Sequence, residues 1–278
     1  MIEYMSPKWR FLSAISGGRV DRPSIGTVTS LANIDAMNFC DMPFPLAHQD
    51  VEAMAQLSAY VSQEAGFDTI TPVFSVVHES AALGATVDWG QKDVMPTITE
   101  PLWREPEEIF IPDDFEQREA MAVVLGALQR LRDLHGDRYA LIGKAFGPWT
   151  LSFHLFGVET ILVMTLEDPE KVRRILGALL EVTVRSAYAQ IHAGADAICL
   201  GDHCSRDMCS PETYREFLFP LHQKLARRIP CPVVLHACGD TADRLPLIAD
   251  TALSCFHFDT RVPPAQAHEL ANGRIALM

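Results

Sequence analysis

The stretch Pro232-Val-Val-Leu-His-Ala-Cys-Gly-Asp-Thr241 begins as a buried strand and ends in residues able to hold a metal. Pro232 can open a strand, and Val233, Val234 and Leu235 form the unbroken apolar run of a parallel strand covered on both faces. Residues two apart on a strand point the same way, so His236 and Cys238 project together from its end. Gly239 permits a tight turn, and Asp240 or Thr241 can cap the helix that follows. An imidazole beside a thiolate is half of a zinc site.

Working outward, Tyr139–Ala145, Ala197–Gly201, Ser254–Phe258 and Arg274-Ile-Ala-Leu-Met278 read as further core strands. Ser24–Val28 and Phe67–Phe74 read as the first two, after which Thr86–Trp89 and Met95–Ile98 suggest a hairpin. Ser6-Pro7, Asp168-Pro169 and Ser210-Pro211 pair a capping side chain with a proline, the signature of a helix start. Helices are also expected over Ala47–Ala65, Phe115–Leu134, Asp243–Asp250 and Pro264–Ala271, and loops over residues 29–46 and Glu100–Asp114. From Tyr139 onward strands and helices alternate with short connections, which predicts a parallel α/β sheet or barrel.

A chain of 278 residues suits one (β/α)8 TIM barrel, which takes about 250. The expected domain spans residues 1–278, with an N-terminal helical extension and a hairpin insertion near residues 85–98. Seven core strands are countable, so the C-terminal strand and helix units that close an eight-stranded barrel are expected to be lacking.

Hydrophobic residues make up 48% and charged residues 21%, enough for a large core. A net charge of -13 argues against nucleic acid or an anionic membrane as partner. No uninterrupted apolar run reaches the roughly 18 residues of a membrane span. Seven scattered cysteines suit a reducing cytoplasm better than a disulfide framework, so cytoplasmic localisation is expected.

Chemistry in such folds sits at the carboxyl ends of the strands. The polar residues there are Glu79, Gly147-Pro148, Asp202-His203-Cys204, His236, Cys238, Asp259 and Arg261. Each has a plainer reading. Glu79 can be a solvated acid, Gly147-Pro148 a strand terminator, and Cys204 and Cys209 ordinary small residues of a capping loop. Cys199 and Cys231 read as core.

The order of several motifs then resembles the uroporphyrinogen decarboxylase superfamily. They are Arg19-Val-Asp-Arg-Pro23, Glu64-Ala-Gly-Phe-Asp68, Glu79-Ser-Ala-Ala-Leu-Gly84, Trp89-Gly90, Gly147-Pro-Trp-Thr150, Asp168-Pro-Glu170, Ala193-Gly-Ala-Asp196, Ser210-Pro-Glu-Thr-Tyr-Arg-Glu-Phe217 and Leu235-His-Ala-Cys-Gly239. His236-X-Cys238 is similar to the methylcobamide:coenzyme M methyltransferase branch, whose members hold zinc with His-X-Cys and a distant downstream cysteine. The decarboxylase branch carries an arginine-rich N-terminal segment, and the matching Pro23-Ser-Ile-Gly-Thr-Val-Thr-Ser30 has no arginine.

The resemblance implies a zinc-dependent methyltransferase of one-carbon metabolism or methanogenesis. It would move a methyl group from a methylcobamide on a corrinoid protein to a small thiol such as coenzyme M, or to tetrahydrofolate. His236 and Cys238 are the implied zinc ligands, Asp202 and Glu79 catalytic or coordination-completing carboxylates, and Gly147, Pro148 and Asp259 substrate-binding residues. A decarboxylase-type lyase acting on a tetrapyrrole and a non-catalytic corrinoid-binding barrel are the alternatives.

Overall fold

Ala140-Leu-Ile-Gly-Lys-Ala-Phe146 is buried along its whole length, as a strand sandwiched between a barrel interior and a helix layer must be. The structure is a computed structural model and describes residues 4–278. Its strands are β1 (Thr69–Ile70), the hairpin pair β2 (Val87–Asp88) and β3 (Thr97–Ile98), β4 (Ala140–Phe146), β5 (Ala197–Gly201), β6 (Val233–Ala237), β7 (Cys255–Phe258) and β8 (Ala276–Leu277). Six of them form one sheet in the order β1-β4-β5-β6-β7-β8, and all of its pairings are parallel. The sheet is open, with β1 and β8 at its edges. Helices cover its outer face in the α/β-barrel manner.

Alternation along the strands divides the core in two. Outward residues such as Leu141, Ala145, Ile198, Leu200 and Leu235 pack with the helices. Inward residues Ala140, Ile142, Ala197, Cys199, Val234 and Cys255 form a second cluster with Val28, Phe11 and Ile15. Phe11 and Ile15 come from the helix Pro7–Ile15, so this N-terminal helix plugs the lower end of the sheet's concave face.

The cap-plus-proline helix starts behave as expected. Ser6, Asp168 and Ser210 each accept a hydrogen bond from a backbone N–H of the first turn. The helix beginning at Pro211 runs to Arg228 through a π-turn over Tyr214–Leu218. Pro220 lies just beyond that turn and cannot donate to Glu216, which is reason enough for the helix to widen there.

Four expectations change. Ser24–Val28 is extended but joins no ladder. One backbone bond, from the Asp68 N–H to the Ile25 carbonyl, ties it to the start of β1, and side chains supply the rest: Asp68 Oδ2 accepts from the Ile25 N–H and the Ser24 hydroxyl, and Thr69 Oγ1 accepts from the Thr27 N–H. The region read as a loop before residue 46 contains the helix Ile34–Cys40, capped by Asn33. The helix expected over Ala47–Ala65 is two, Leu46–Gln49 and Val51–Glu64, because Asp50 leaves the helix to cap the second. Between Pro148 and Asp168, where one helical piece is expected ahead of the helix start at Asp168-Pro169, there are two helices, Pro148–Phe156 and Val158–Glu167, split at Gly157. No single helix among the described residues is long and apolar enough to cross a membrane.

Asp68 anchors the lower end. Its buried carboxylate also accepts from Arg10 Nη1 at 2.9 Å and Arg22 Nη2 at 3.1 Å, and Arg10 is itself 1% exposed. Removing one partner of a buried ion pair strands the other charge. Arg10 keeps Asp21 as a second partner at 2.6 Å, so Asp68→Asn is expected to destabilise the fold by about 1–3 kcal/mol in urea unfolding, against a fraction of that for an exposed carboxylate such as Asp114.

Candidate active site

The register sets the site. Phe146 pairs with Gly201, Gly201 with His236, and His236 with His257, so these residues form one row at the carboxyl edge of the sheet. His236 Nε2 lies 3.1 Å from Cys238 Sγ. The ring of His257 stands 4.8 Å from that of His236, and both histidines have a buried Nδ1 with no partner. Burial lowers the pKa of His236 to about 4, aided by the charges of His257 and Lys144. Burial raises that of the Cys238 thiol, and Asp259 raises it further, while Lys144 lowers it. The imidazole is thus held neutral, as a metal ligand must be, and the thiol resists ionisation until a cation is near.

The donor set fits half of a tetrahedral zinc shell. Bond lengths of about 2.3 Å to sulfur and 2.0 Å to nitrogen place two tetrahedral donors about 3.5 Å apart, a few tenths beyond the spacing seen here. No cluster of three or more His, Cys, Asp or Glu groups suited to a metal occurs among the described residues.

The carboxylates expected to complete the site are engaged with protein partners. Asp202 is 1% exposed. Its Oδ1 accepts from the Thr150 N–H at 2.8 Å and hydroxyl at 3.0 Å, and its Oδ2 accepts from His222 Nε2 at 3.0 Å. His222 Nδ1 in turn accepts from the Tyr214 hydroxyl, which fixes the tautomer. Thr150 is the third residue of the helix Pro148–Phe156, whose cap position is Gly147. Glycine has no capping side chain, so Asp202 caps this helix from the neighbouring loop. A Cβ on Gly147 would come within 2.2 Å of the Asp202 carboxylate. The space at Gly147 is filled by protein, and Pro148 starts the helix. Neither presents an open face.

Glu79 is also buried, which removes the solvated reading. Its Oε1 accepts from the Phe146 N–H at 3.2 Å and the Ser186 hydroxyl at 3.0 Å, so it ties β4 to the long helix Pro169–His192. Burial raises its pKa to about 6. Asp259 accepts from the Gly239 N–H through Oδ2 and from the Arg261 N–H through Oδ1, and these bonds hold its pKa down. It pins the turn immediately after Cys238. Arg244 organises the loop after β5: its buried guanidinium donates to the carbonyls of Cys204 and Cys209, both at 2.8 Å. Cys204 and Cys209 are buried beside it, with thiol pKa values pushed up by burial.

Two residues were missed in the sequence. Lys144 is a charged residue inside the otherwise apolar β4, a signal that was available. His257 lies two residues after the core residue Cys255, so its inward direction could have been read from alternation.

Fold and site together define an α/β-barrel protein with a metal-competent imidazole–thiol pair at the carboxyl end of its sheet. The profile of the uroporphyrinogen decarboxylase (URO-D) family matches residues 6–278. The chain is 35% identical over 261 residues to a methylated-thiol--coenzyme M methyltransferase of Methanosarcina mazei, covering 94% of this chain and 71% of that one. It is 27% identical over 260 residues to the methylcobamide:CoM methyltransferase MtaA of Methanosarcina barkeri, covering 93% and 77%. A solved methyltransferase from Methanosarcina mazei superposes with a TM-score of 0.95 at 27% identity, over 99% of this chain and 82% of that one. The chain belongs to the uroporphyrinogen decarboxylase family, and within it to the methyltransferases.

Three histidines outside the His–Cys pair, His48 and His78 fully buried and His154 half-buried, carry a pH consequence. Burial lowers His48 to about 3, and His78 and His154 to about 4. Below about pH 6.5 the unfolded chain takes up protons at these sites that the folded chain refuses until about pH 4, so stability falls as pH drops through that window. Glu79 opposes them, because its folded value of about 6 exceeds the ordinary 4.5 and it binds a proton earlier when folded. Three sites against one leave a net difference of about two protons, a loss of roughly 3 kcal/mol per pH unit near pH 5. Urea midpoints should decline steadily from pH 7 to 4.5, and a flat profile would contradict neutral burial.

Proposed function

We propose that this protein transfers a methyl group from a methylcobamide, carried by a corrinoid protein, to the sulfur of a small thiol, with zinc held by His236 and Cys238. The observation that carries the proposal is the 3.1 Å approach of His236 Nε2 to Cys238 Sγ at the end of β6. The relatives reported above act on coenzyme M by their names, which supports a thiol acceptor.

Bound zinc would supply a positive centre that lowers the pKa of an incoming thiol, so that thiolate forms near neutral pH. The chain's own residues prepare the place. Burial keeps the His236 nitrogen unprotonated and free to ligate. Asp259 holds the Gly239 turn, and Gly239, at φ +87°, brings the backbone close to Ser205 as it leaves the strand. The Asp202 N–H donates to the His236 carbonyl at 3.0 Å, so the buried Asp202 cluster fixes the backbone of the ligand strand. Its role is to position, and Glu79 does the same for β4. Tetrahydrofolate is the weaker acceptor candidate, since no observation favours it.

A tetrapyrrole lyase would need cations to meet several carboxylates. Pro23–Ser30 carries none, and Arg22 beside it is engaged by Asp68.

Metal analysis and methylcobalamin demethylation test the proposal. Purified protein should hold about one zinc and transfer methyl groups to added thiol. Cys238→Ala and His236→Ala should each lower the rate by at least about 100-fold, the scale expected when a ligand to a working metal is lost. Full activity in Cys238→Ala, or an active protein free of zinc, would sink it.

A further inference from the structure

A cavity of about 220 Å³ lies apart from the mouth, where the helices Leu46–Gln49 and His78–Leu83, the β2–β3 hairpin and the start of the helix Glu119–His135 meet. Its lining residues all lie outside the six-stranded sheet. His48 forms part of the wall and is fully buried. Both of its ring nitrogens are closed to water, and among the described residues neither has a hydrogen-bond partner. The neighbouring His78 is the contrast, with Nδ1 at 2.9 Å from the Ser75 hydroxyl and Nε2 at 2.9 Å from the His48 carbonyl. Burial holds the His48 ring neutral, so it brings one N–H and one lone pair, and both are unmet. An unmet buried donor or acceptor costs about 1–3 kcal/mol, and a group that carries such a cost calls for an occupant.

Charge is the second feature of the same cavity. The helix Glu119–His135 runs for 17 residues, and its cap, Arg118, makes no side-chain capping bond. The N–H groups of its first turn therefore keep their partial positive charge unanswered beside the cavity that Glu119 and Ala120 line. Arg118 lines it too. Its Nε is taken by Asp114 at 3.1 Å, while its Nη groups make no hydrogen bond among the described residues. Glu119 is exposed on the rim and disfavours a second negative charge on any occupant. Ala81, Ala85, Val87, Trp89 and Val123 supply an apolar wall. The volume falls below the roughly 300–1,000 Å³ of sites for drug-sized molecules, so the occupant is small.

We infer that this cavity binds a small monocarboxylate with a short apolar body. The carboxylate takes the Arg118 guanidinium and the uncapped turn, the His48 N–H is the buried donor, and the hydrocarbon lies against Trp89. Arg118 offers paired N–H groups that match a planar carboxylate, and a neutral imidazole adds a donor without the cost of burying a charge.

Butyrate is the probe, with butyramide and inorganic phosphate as controls, measured on the whole chain by calorimetry, tryptophan fluorescence and urea unfolding. Butyrate is expected to bind once per chain and to raise the urea midpoint, as a ligand of the folded state alone must. Butyramide and phosphate should bind at least about tenfold more weakly, the worth of one hydrogen bond to a charged group. Arg118→Gln should weaken butyrate by the same factor. So should His48→Phe, which keeps a ring against Phe44, 4.0 Å away between centroids, and removes both nitrogens. Deleting unmet polar atoms should also leave the urea midpoint of the free His48→Phe protein unchanged or higher. A lowered midpoint would mark a structural histidine and overturn its assignment to the cavity. Trp89→Phe should abolish the fluorescence change and keep the calorimetric binding. No saturable binding of butyrate up to about 10 mM, tenfold above a millimolar Kd, would overturn the inference. So would equal binding of butyramide or phosphate, a fluorescence change that survives Trp89→Phe, or butyrate binding unchanged in either Arg118→Gln or His48→Phe. If His48→Phe fails to fold, Arg118→Gln, at a partly exposed position, decides alone.

Discussion

One buried carboxylate holds the upper end of this structure together. Asp202 follows β5, caps the helix Pro148–Phe156 through Thr150, receives His222 from the helix Phe219–Arg228, and bonds through its N–H to the His236 carbonyl of β6. Two helices therefore meet, through Thr150 and His222, at one side chain that water does not reach, while the backbone N–H of the same residue reaches β6. Each partner would be left unsatisfied without it, and a stranded buried donor costs about 1–3 kcal/mol. Gly147 belongs to the same device, because any side chain there would occupy the position of the carboxylate. The π-turn at Tyr214–Leu218 lies between Tyr214 and His222 on the same helix, and these two side chains meet at 3.0 Å. The metal-competent pair is thus supported from behind by a buried network of protein partners.

The strand–helix frame was legible because its signals are local. Proline after a capping residue, apolar runs bounded by glycine, and the two-residue spacing of His236 and Cys238 are all read within a few positions. The structure repeats the cap bonds of Ser6, Asp168 and Ser210 and the hairpin of Val87–Asp88 with Thr97–Ile98. What escaped depends on distant residues. Ser24–Val28 has the composition of a strand, yet Asp68 and Thr69 take the hydrogen bonds that a ladder would use. Glu79 and Asp202 lie at strand ends, as an active-site acid should, but sequence does not say whether a carboxylate faces the mouth or the helix layer behind it. The partners that decide this, Ser186 and His222, are 107 and 20 residues away.

Charge explains why the pair needs help. A ligating imidazole must be neutral and a ligating thiol must be ionised. Burial does the first at His236 and opposes the second at Cys238, where Asp259 adds to the opposition. Lys144 is the one group that acts on the Cys238 thiol in the other direction. A low-dielectric mouth with a neutral imidazole, a protonated thiol and a nearby carboxylate favours the arrival of a cation, and a metal ion is what ionises the thiol while accepting the nitrogen.

The same reasoning separates the two cationic influences. A metal held by Nε2 and Sγ would act directly on the Cys238 sulfur, whereas Lys144 lies a row lower and two strands away, with its side-chain nitrogen turned to the Val73 carbonyl. At that remove its field on Cys238 is a secondary effect, smaller than burial and Asp259.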